Sequence, residues 1–126
     1  MATNFDFSRG VTKEVIATST IVAGDPVRVG DLVGVALTDA ELSEDGVNYY
    51  CTVAFEGVMS NIGATNGLSS AAVNQGVGIY TATAAGAANI AVKVTFTTTA
   101  STNKLFGYTL NTRASNTGNL EIRVVN

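Results

Sequence analysis

The sequence contains no histidine and no tryptophan, and it has one cysteine and one proline among 126 residues. Without histidine the chain lacks the most frequent general base, the usual partner of a nucleophilic serine or cysteine, and the ligand of most zinc sites. No lysine follows a glycine, so there is no phosphate-binding loop ending in Gly-Lys-Ser/Thr. The glycines of "QGVGIYTA" (residues 75–82) do not complete a dinucleotide-binding fingerprint. These absences predict that the protein is not an enzyme and uses no cofactor and no metal ion.

A single cysteine cannot form a disulfide within the chain, so the fold does not depend on an oxidising compartment. Cys51 alternates with Tyr49 and Val53 on the apolar side of one run. This position predicts a small buried hydrophobic side chain and not a reactive thiol.

Charged residues are also scarce, at 13% of the chain where about 25% is usual for a soluble domain. The seven basic residues stand singly, each balanced by nearby acids: Arg9, Lys13, Arg28, Lys93, Lys104, Arg113 and Arg123. Binding to DNA or RNA requires clustered cations, so we expect no nucleic-acid partner. The polar surface must come from Thr, Ser and Asn, which outnumber the charged residues about two to one. Such a surface suits a protein packed among neighbours, or it reflects a compositional habit of the source organism.

Long hydrophobic runs are missing as well. Glycine and threonine interrupt every apolar stretch before the roughly eighteen residues that a membrane-spanning helix needs, which predicts no membrane association. The first ten residues, "MATNFDFSRG", have no basic start that leads into an apolar stretch, so we expect no secretion signal and synthesis in the cytoplasm. A chain of this length predicts one domain that buries roughly two-thirds of its extended surface.

What the sequence has in abundance is alternation of apolar and polar residues, the pattern of a half-buried β-strand. The run "VNYYCTVAF" (residues 47–55) places five side chains on its inward face: Val47, Tyr49, Cys51, Val53 and Phe55. In "NIAVKVTFTT" (residues 89–98) the predicted inward residues are Ile90, Val92, Val94 and Phe96, and the outward ones are Ala91, Lys93, Thr95 and Thr97. In "NLEIRVV" (residues 119–125) the predicted buried residues are Leu120, Ile122 and Val124, and the exposed ones are Glu121 and Arg123.

Shorter runs complete a set of about eight predicted strands: residues 11–17, 26–29, 32–38, 77–83 and 105–112. Glycine turn signals separate the strands at Gly24-Asp25, Asp45-Gly46, Asn66-Gly67 and Gly118-Asn119. Many short strands must close on themselves or stack to cover their edges, so we predict an all-β single-domain fold, either a β-sandwich or a small β-barrel. At most one short helical turn is expected, in "SSAAVNQG" (residues 69–76).

The pattern Leu-x-Gly-x-x-Leu occurs twice, as "LVGVAL" (residues 32–37) and as "LFGYTL" (residues 105–110). A glycine inside a strand costs stability and usually marks a bulge or a close approach of two backbones. Gly34 and Gly107 are therefore predicted to be structural residues of two equivalent strands that bend at the same point. Each strand leads through a glycine turn into a partner strand, so the repeat indicates architecture and not an active site.

An acidic stretch, "TDAELSED" (residues 38–45), deserves comparison with known ligand sites. Its carboxylates are of the kind that collect calcium: Asp39, Glu41, Glu44 and Asp45. Their spacing matches no calcium-binding loop, and the absence of tryptophan argues against carboxylates that hydrolyse a sugar. We therefore predict a solvated acidic loop between two strands.

Residues 1–10 are predicted to form an N-terminal arm or a first edge strand, and residues 11–126 the β domain. Phe5 and Phe7 stand two apart with a polar residue between them. They either complete the core as part of an ordinary first strand or belong to an arm that docks onto a partner.

Four segments occur in a recognisable order: "IVAGDPVRVGDLVGVALTDA" (residues 21–40), "VAFEGV" (residues 53–58), "NQGVGIYTA" (residues 74–82) and the closing "LFGYTL … LEIRVV". Together they resemble the phage capsid cement, or head decoration, family, in which an "aGdpV" segment leads into a strand that ends in "GVAl". Val77 stands where that family tends to have an acid, and "TFTTTASTNK" (residues 95–104) diverges.

This resemblance implies a small β protein of the virion that binds the outer surface of an assembled capsid. Its implied partners are the major capsid protein and copies of itself, as a homotrimer, and its implied role is to cross-link capsid subunits against the pressure of packed DNA. By the same resemblance, Phe5, Phe7 and Arg9 are candidate capsid contacts. Two other classes stay open, a tail or fibre β module of the virion and a bacterial surface adhesion module. A carbohydrate-binding or hydrolytic role ranks behind both.

Overall fold

A computed structural model describes residues 12–59, 72–82, 89–101, 103–114 and 120–126. Within these ranges every element of regular secondary structure is a β-strand, which confirms the predicted all-β fold. They are β1 (Thr12–Ala17), β2 (Pro26–Val29), β3 (Leu32–Ala36), β4 (Glu41–Leu42), β5 (Tyr49–Ala54), β6 (Gly57–Met59), β7 (Gly78–Thr81), β8 (Ile90–Lys93), β9 (Phe96–Thr97), β10 (Lys104–Thr109) and β11 (Ile122–Val124). Several predicted features lie outside the described residues: the segment 1–10, the Asn66-Gly67 and Gly118-Asn119 turns, and residues 69–71 of the possible helical turn.

Five strands close into a barrel in the order β1-β8-β2-β3-β5, with β5 returning to β1. β1 pairs antiparallel with β5, from Thr12 opposite Ala54 to Ala17 opposite Tyr49, and parallel with β8. The short β4 pairs with the start of β5, and β3 pairs with its end. A barrel of so few strands encloses little space, so mostly small and medium side chains fill it. Its buried core residues are Ala17, Ile21, Val27, Ala36, Cys51, Val53, Phe55 and Ala91.

The other five strands form an antiparallel sheet in the order β6-β11-β10-β7-β9. Its inner face packs against the outside of the barrel at β3 and builds a second hydrophobic core. Phe96 and Phe106 meet there edge to face with ring centroids 4.7 Å apart, a geometry that aromatic pairs prefer. The buried residues of this core are Val33, Met59, Val73, Ile79, Val94, Phe96, Phe106, Leu120, Ile122 and Val124.

β3 contributes to both cores through alternate residues. Ala36 belongs to the barrel core, and Gly34 lies opposite the barrel residue Val27. Val33 is fully buried in the second core, and Val35 packs against that core. Successive side chains of a strand point to opposite faces, so one strand separates the two cores and belongs to both.

The side chain of Asn126 joins the end of the second sheet to the barrel. Its Oδ1 accepts a hydrogen bond from the backbone N–H of Val33 at 2.9 Å, and its Nδ2 donates to the carbonyl of Val33 at 2.9 Å. The same Nδ2 donates to the carbonyl of Phe55 at 2.7 Å. The Asn126 amide therefore forms the hydrogen bonds with the N–H and C=O of Val33 in β3 that a neighbouring strand would otherwise form.

The predicted turn at Gly24-Asp25 is confirmed and leads into β2. Gly24 has a φ of +93°, a conformation that favours glycine. The Asp25 carboxylate accepts a hydrogen bond from the N–H of Val22 at 3.0 Å and pairs with Nζ of Lys93 at 3.4 Å. Val27 lies opposite Lys93 in the ladder between β2 and β8, so the ion pair supports this strand pairing. The "GDPV" sequence is thus a structural turn.

The glycines of the repeated pattern lie where a neighbouring backbone leaves no room for a side chain. A Cβ at Gly34 would overlap the carbonyl oxygen of Ala54, and a Cβ at Gly107 would overlap that of Arg123. The two copies belong to different sheets. β10 carries a register shift between Leu105 and Gly107, whereas the β2–β3 ladder continues through Gly34 without a shift.

Two parts of the predicted alternation are wrong. Ala91 is fully buried in the barrel, whereas Ile90 and Val92 on the opposite side are half-buried. The chain leaves the barrel after Lys93 and joins the second sheet. The side of the run that faces a core therefore changes, from Ala91 in the barrel core to Val94 and Phe96 in the second core. Val47 is 73% exposed and not inward, because it belongs to the turn before β5.

The structure has more strands than the eight predicted because β4, β6 and β9 are two or three residues long. Such lengths are too short to produce a periodic pattern. Arg113, one of the scattered basic residues, is 1% exposed, and its backbone N–H and C=O pair with Val73 at 2.8 Å each. In the last run the predicted alternation is confirmed from residue 120 to residue 124, with Leu120, Ile122 and Val124 buried and Glu121 and Arg123 exposed.

We expect Gly107→Ala to lower the free energy of unfolding by about 3 kcal/mol, because the added methyl group must push β10 away from β11. Gly34→Ala should cost a similar amount at β3. Gly46→Ala is the matched control, since its φ of +71° disfavours alanine but nothing lies within 4 Å of the added Cβ. This control should cost about 1 kcal/mol. Urea denaturation measures all three variants, and equal losses would contradict the packing argument.

Candidate interaction surface

Few side chains among the described residues are suited to catalysis or metal binding. Within them, no group of three or more His, Cys, Asp or Glu side chains is placed to hold a metal ion. No helix in the described ranges is long and apolar enough to cross a membrane. Cys51 is 2% exposed in the barrel core, as predicted, and its burial raises the pKa of the thiol. The nucleophilic thiolate is therefore scarce at neutral pH.

The acidic stretch is exposed, as predicted, but it includes the short strand β4. Asp39 accepts a hydrogen bond from the backbone N–H of Ala23 at 2.8 Å, which connects this stretch to the turn before β2. Asp45 accepts hydrogen bonds from the Ser43 hydroxyl and from the backbone N–H of Val47. These bonds, the one from Ser43 above all, lower the pKa of Asp45. Asp45 thus shapes the loop through local hydrogen bonds, and Asp39 links the loop to the turn before β2.

The outward face of the second sheet depends on the bulge in β10. The register shift falls between Leu105 and Gly107, so Phe106 is the extra residue. Phe106 and Gly107 are consecutive and both buried, which unbroken alternation does not produce. Tyr108 consequently faces outward and is 45% exposed. Without the bulge, the residue two positions after Phe106 would point into the core.

A row of residues crosses four neighbouring strands on this face, each directly opposite the next: Val58, Arg123, Tyr108 and Gly78. At about 4.8 Å per strand the row is about 14 Å long. Tyr80, two residues after Gly78, lays its ring over that glycine, because a Cβ at Gly78 would be 3.1 Å from the Tyr80 Oη. Gly78 thus leaves room for a second aromatic ring beside the row.

We name this surface the tyrosine face and define it by Val58, Tyr80, Tyr108, Leu110, Glu121 and Arg123. Val58 is 57% exposed and Leu110 is 38% exposed. A groove of about 460 Å³ runs beside Val58 and Arg123 and is also lined by Glu56. Tyrosine and arginine are enriched at protein–protein interfaces, because they combine a large contact area with polar groups. The tyrosine face therefore has the composition of a protein-binding surface.

The predicted contact residues lie outside the described residues: Phe5, Phe7 and Arg9. Gly34 and Gly107 lie inside the sheets, and Gly107 affects the surface only through the bulge. Nothing in the predicted pattern placed Tyr80 and Tyr108 in an exposed patch. The signal available in the sequence was "FGY", since a glycine within a strand marks a possible bulge and hence a change of face.

A family model described as phage cement protein matches residues 7–125, nearly the whole chain. The matched range contains every strand of the barrel and of the second sheet. Neither a search of curated proteins nor a search of solved structures gives a significant match. The family match covers the fold as a whole and not one motif.

Cys51 should react at least about 100-fold more slowly with a maleimide than an exposed thiol does at neutral pH, because it is buried and its thiolate is scarce. Val47→Cys supplies the matched exposed thiol in the same chain, at a position that is 73% exposed. Mass spectrometry of timed samples separates the two reactions, and concentrated urea should bring Cys51 to the faster rate. Equal rates in the native protein would contradict the burial of Cys51.

Proposed function

The chain belongs to the phage cement protein family, and from that premise we propose that it binds the outer surface of an assembled capsid and cross-links neighbouring major capsid subunits. Its role is capsid-stabilising and structural, and such a role requires no catalytic step. The observation that carries the proposal is the family match over residues 7–125, which includes both sheets.

The proposed stabilisation is mechanical. Packed DNA pushes capsid subunits apart, and a rigid protein attached to two subunits resists their separation. Two features support rigidity: β3 belongs to both cores, and Asn126 bonds to Val33 and Phe55. Modest affinity in each copy suffices, because attachment at several points multiplies the individual affinities.

The proposed partners are the major capsid protein and further copies of this chain, assembled as a homotrimer at threefold positions of the shell. The low charge content, 13% of residues, supports close packing among neighbours, because few ions lose their water on contact. Nucleic acid and membranes are not among the proposed partners.

The proposed capsid contact is the segment before β1, through Phe5, Phe7 and Arg9. The first three residues of β1, from Thr12 onwards, are exposed, so this segment joins the domain at its surface. Burial of a phenylalanine side chain in a partner contributes ~1.5–3 kcal/mol. Two such rings in every copy supply appreciable binding energy to each attachment.

Quantitative mass spectrometry of purified virus particles, separated into heads, tails and whole virions, tests the function. We expect this chain in the heads at a fixed ratio to the major capsid protein, because each threefold position accepts a defined number of copies. Recovery from tails alone would indicate a tail or fibre module. Absence from every fraction would overturn the proposal.

Deletion of residues 2–8 should leave the β domain folded but abolish its binding to capsids that have been stripped of this protein. The double substitution Phe5→Ala with Phe7→Ala should weaken binding at least about 100-fold, because two buried rings are lost. Ser8→Ala in the same segment is the matched control and should bind normally. Co-sedimentation with capsids measures binding, and circular dichroism reports folding. Full binding by a folded deletion variant would show that the segment is not the capsid contact.

A further inference from the structure

We propose that the tyrosine face is a two-fold contact between two copies of this chain, which on a capsid belong to two neighbouring trimers and not to the same one. The inference rests on the proposed function only in that a capsid surface brings copies side by side. The face presents apolar side chains on both sides of β11, with Val58 on β6 and with Tyr108 and Leu110 on β10 and its end, each more than a third exposed. Exposed apolar side chains grouped on one face around a few charges are typical of a surface that a partner covers.

Arg123 of β11 and Glu121, which directly precedes β11, place opposite charges on the same face of the sheet. They are two residues apart, about 7 Å along the chain. The proposed two-fold axis lies in the plane of the interface, perpendicular to β11 and directly above Ile122. Rotation about this axis places β11 of the second copy over β11 of the first, with the two strands running in opposite directions. Arg123 of each copy then faces Glu121 of the other, so these two residues make two equivalent ion pairs. The ion pairs seen among the described residues, Arg28 with Asp31 and Lys93 with Asp25, involve neither Glu121 nor Arg123.

The same axis places Tyr108 over Leu110 of the other copy. Tyr108 lies opposite Arg123 in the ladder, and the N–H of Leu110 donates to the carbonyl of Glu121 at 2.8 Å. Tyr108 of β10 therefore lies level with Arg123, and Leu110, just after β10, lies level with Glu121. One rotation thus matches aromatic with aliphatic surface and positive with negative charge.

A head-to-tail contact with the acidic stretch fits less well. That stretch carries several exposed carboxylates and no basic residue: Asp39, Glu41, Glu44 and Asp45. The tyrosine face and its groove also carry more acid than base, with Glu56 and Glu121 beside Arg123. Juxtaposed like charges disfavour that contact, whereas the two-fold arrangement brings opposite charges together.

The size of the face predicts a weak contact. Four strands about 4.8 Å apart, three to six residues long, present roughly 300 Å² in each copy. The total of roughly 600 Å² is below the 1,200 Å² or so of a stable interface. The pair should therefore dissociate in dilute solution and form where copies are held close together, as on a capsid, where their effective concentration is high.

Charge reversal of the purified full chain tests the contact. Sedimentation velocity and NMR diffusion up to about 1 mM protein should detect association of the native chain. Arg123→Glu alone and Glu121→Arg alone should each raise the dissociation constant about tenfold, because both ion pairs become repulsive. The double variant, with both changes in one chain, should return to within about threefold of the native value, since a two-fold contact restores both pairs.

Two further variants separate this contact from general effects of charge and packing. Lys13→Glu makes the same charge change at an exposed position of β1 in the barrel and should leave association unchanged. Tyr108→Ala should weaken association about tenfold without a charge change, because it removes the central ring. Urea denaturation verifies that each variant is folded.

Absence of association up to about 1 mM, or a double variant no better than the single ones, would overturn the two-fold contact. Co-sedimentation with capsids, measured on the same variants, distinguishes failure of the two-fold contact from failure of the proposed function. Association without capsid binding would contradict the proposed function and support the contact. Loss of capsid binding in Tyr108→Ala, with no association of the native chain, would assign the face to the capsid and overturn the contact between copies.

Discussion

The fold depends on one strand, β3, that supplies side chains to two hydrophobic cores at once. Val33 is fully buried on one side of this strand, and on the other side Gly34 has no space for even a Cβ. A displacement of β3 would open one core and compress the other, so the barrel and the second sheet are held in one arrangement. The amide of Asn126 adds hydrogen bonds to the backbone of Val33 in the same place.

A second close approach, at Gly107, connects the interior to the surface. β10 lies so near β11 that only glycine fits, and the adjacent bulge at Phe106 keeps the phenylalanine in the core. The same bulge reverses the direction of Tyr108, two residues after Phe106, which becomes part of the exposed face. A requirement of core packing therefore determines which aromatic side chain a partner meets.

These features suit the capsid-stabilising structural role of the phage cement protein family. The segment before β1 and the tyrosine face are two separate proposed contacts, one toward the capsid and one toward another copy. Because β3 belongs to both cores, the barrel and the second sheet form one unit to which both proposed contacts attach. Weak contacts of both kinds add up when many copies occupy one shell.

Local sequence was sufficient for properties that belong to one strand or one turn. It predicted the alternation from Leu120 to Val124, the Gly24-Asp25 turn and the burial of Cys51, because side-chain period and backbone freedom are local. Tertiary structure alone decided where the chain passes from the barrel to the second sheet, and hence that Ala91 faces inward. It also decided that the bulge turns Tyr108 outward. Barrel closure and strand register arise from contacts between residues that are distant in the chain. The periodicity of apolar residues within one strand carries no information about such contacts.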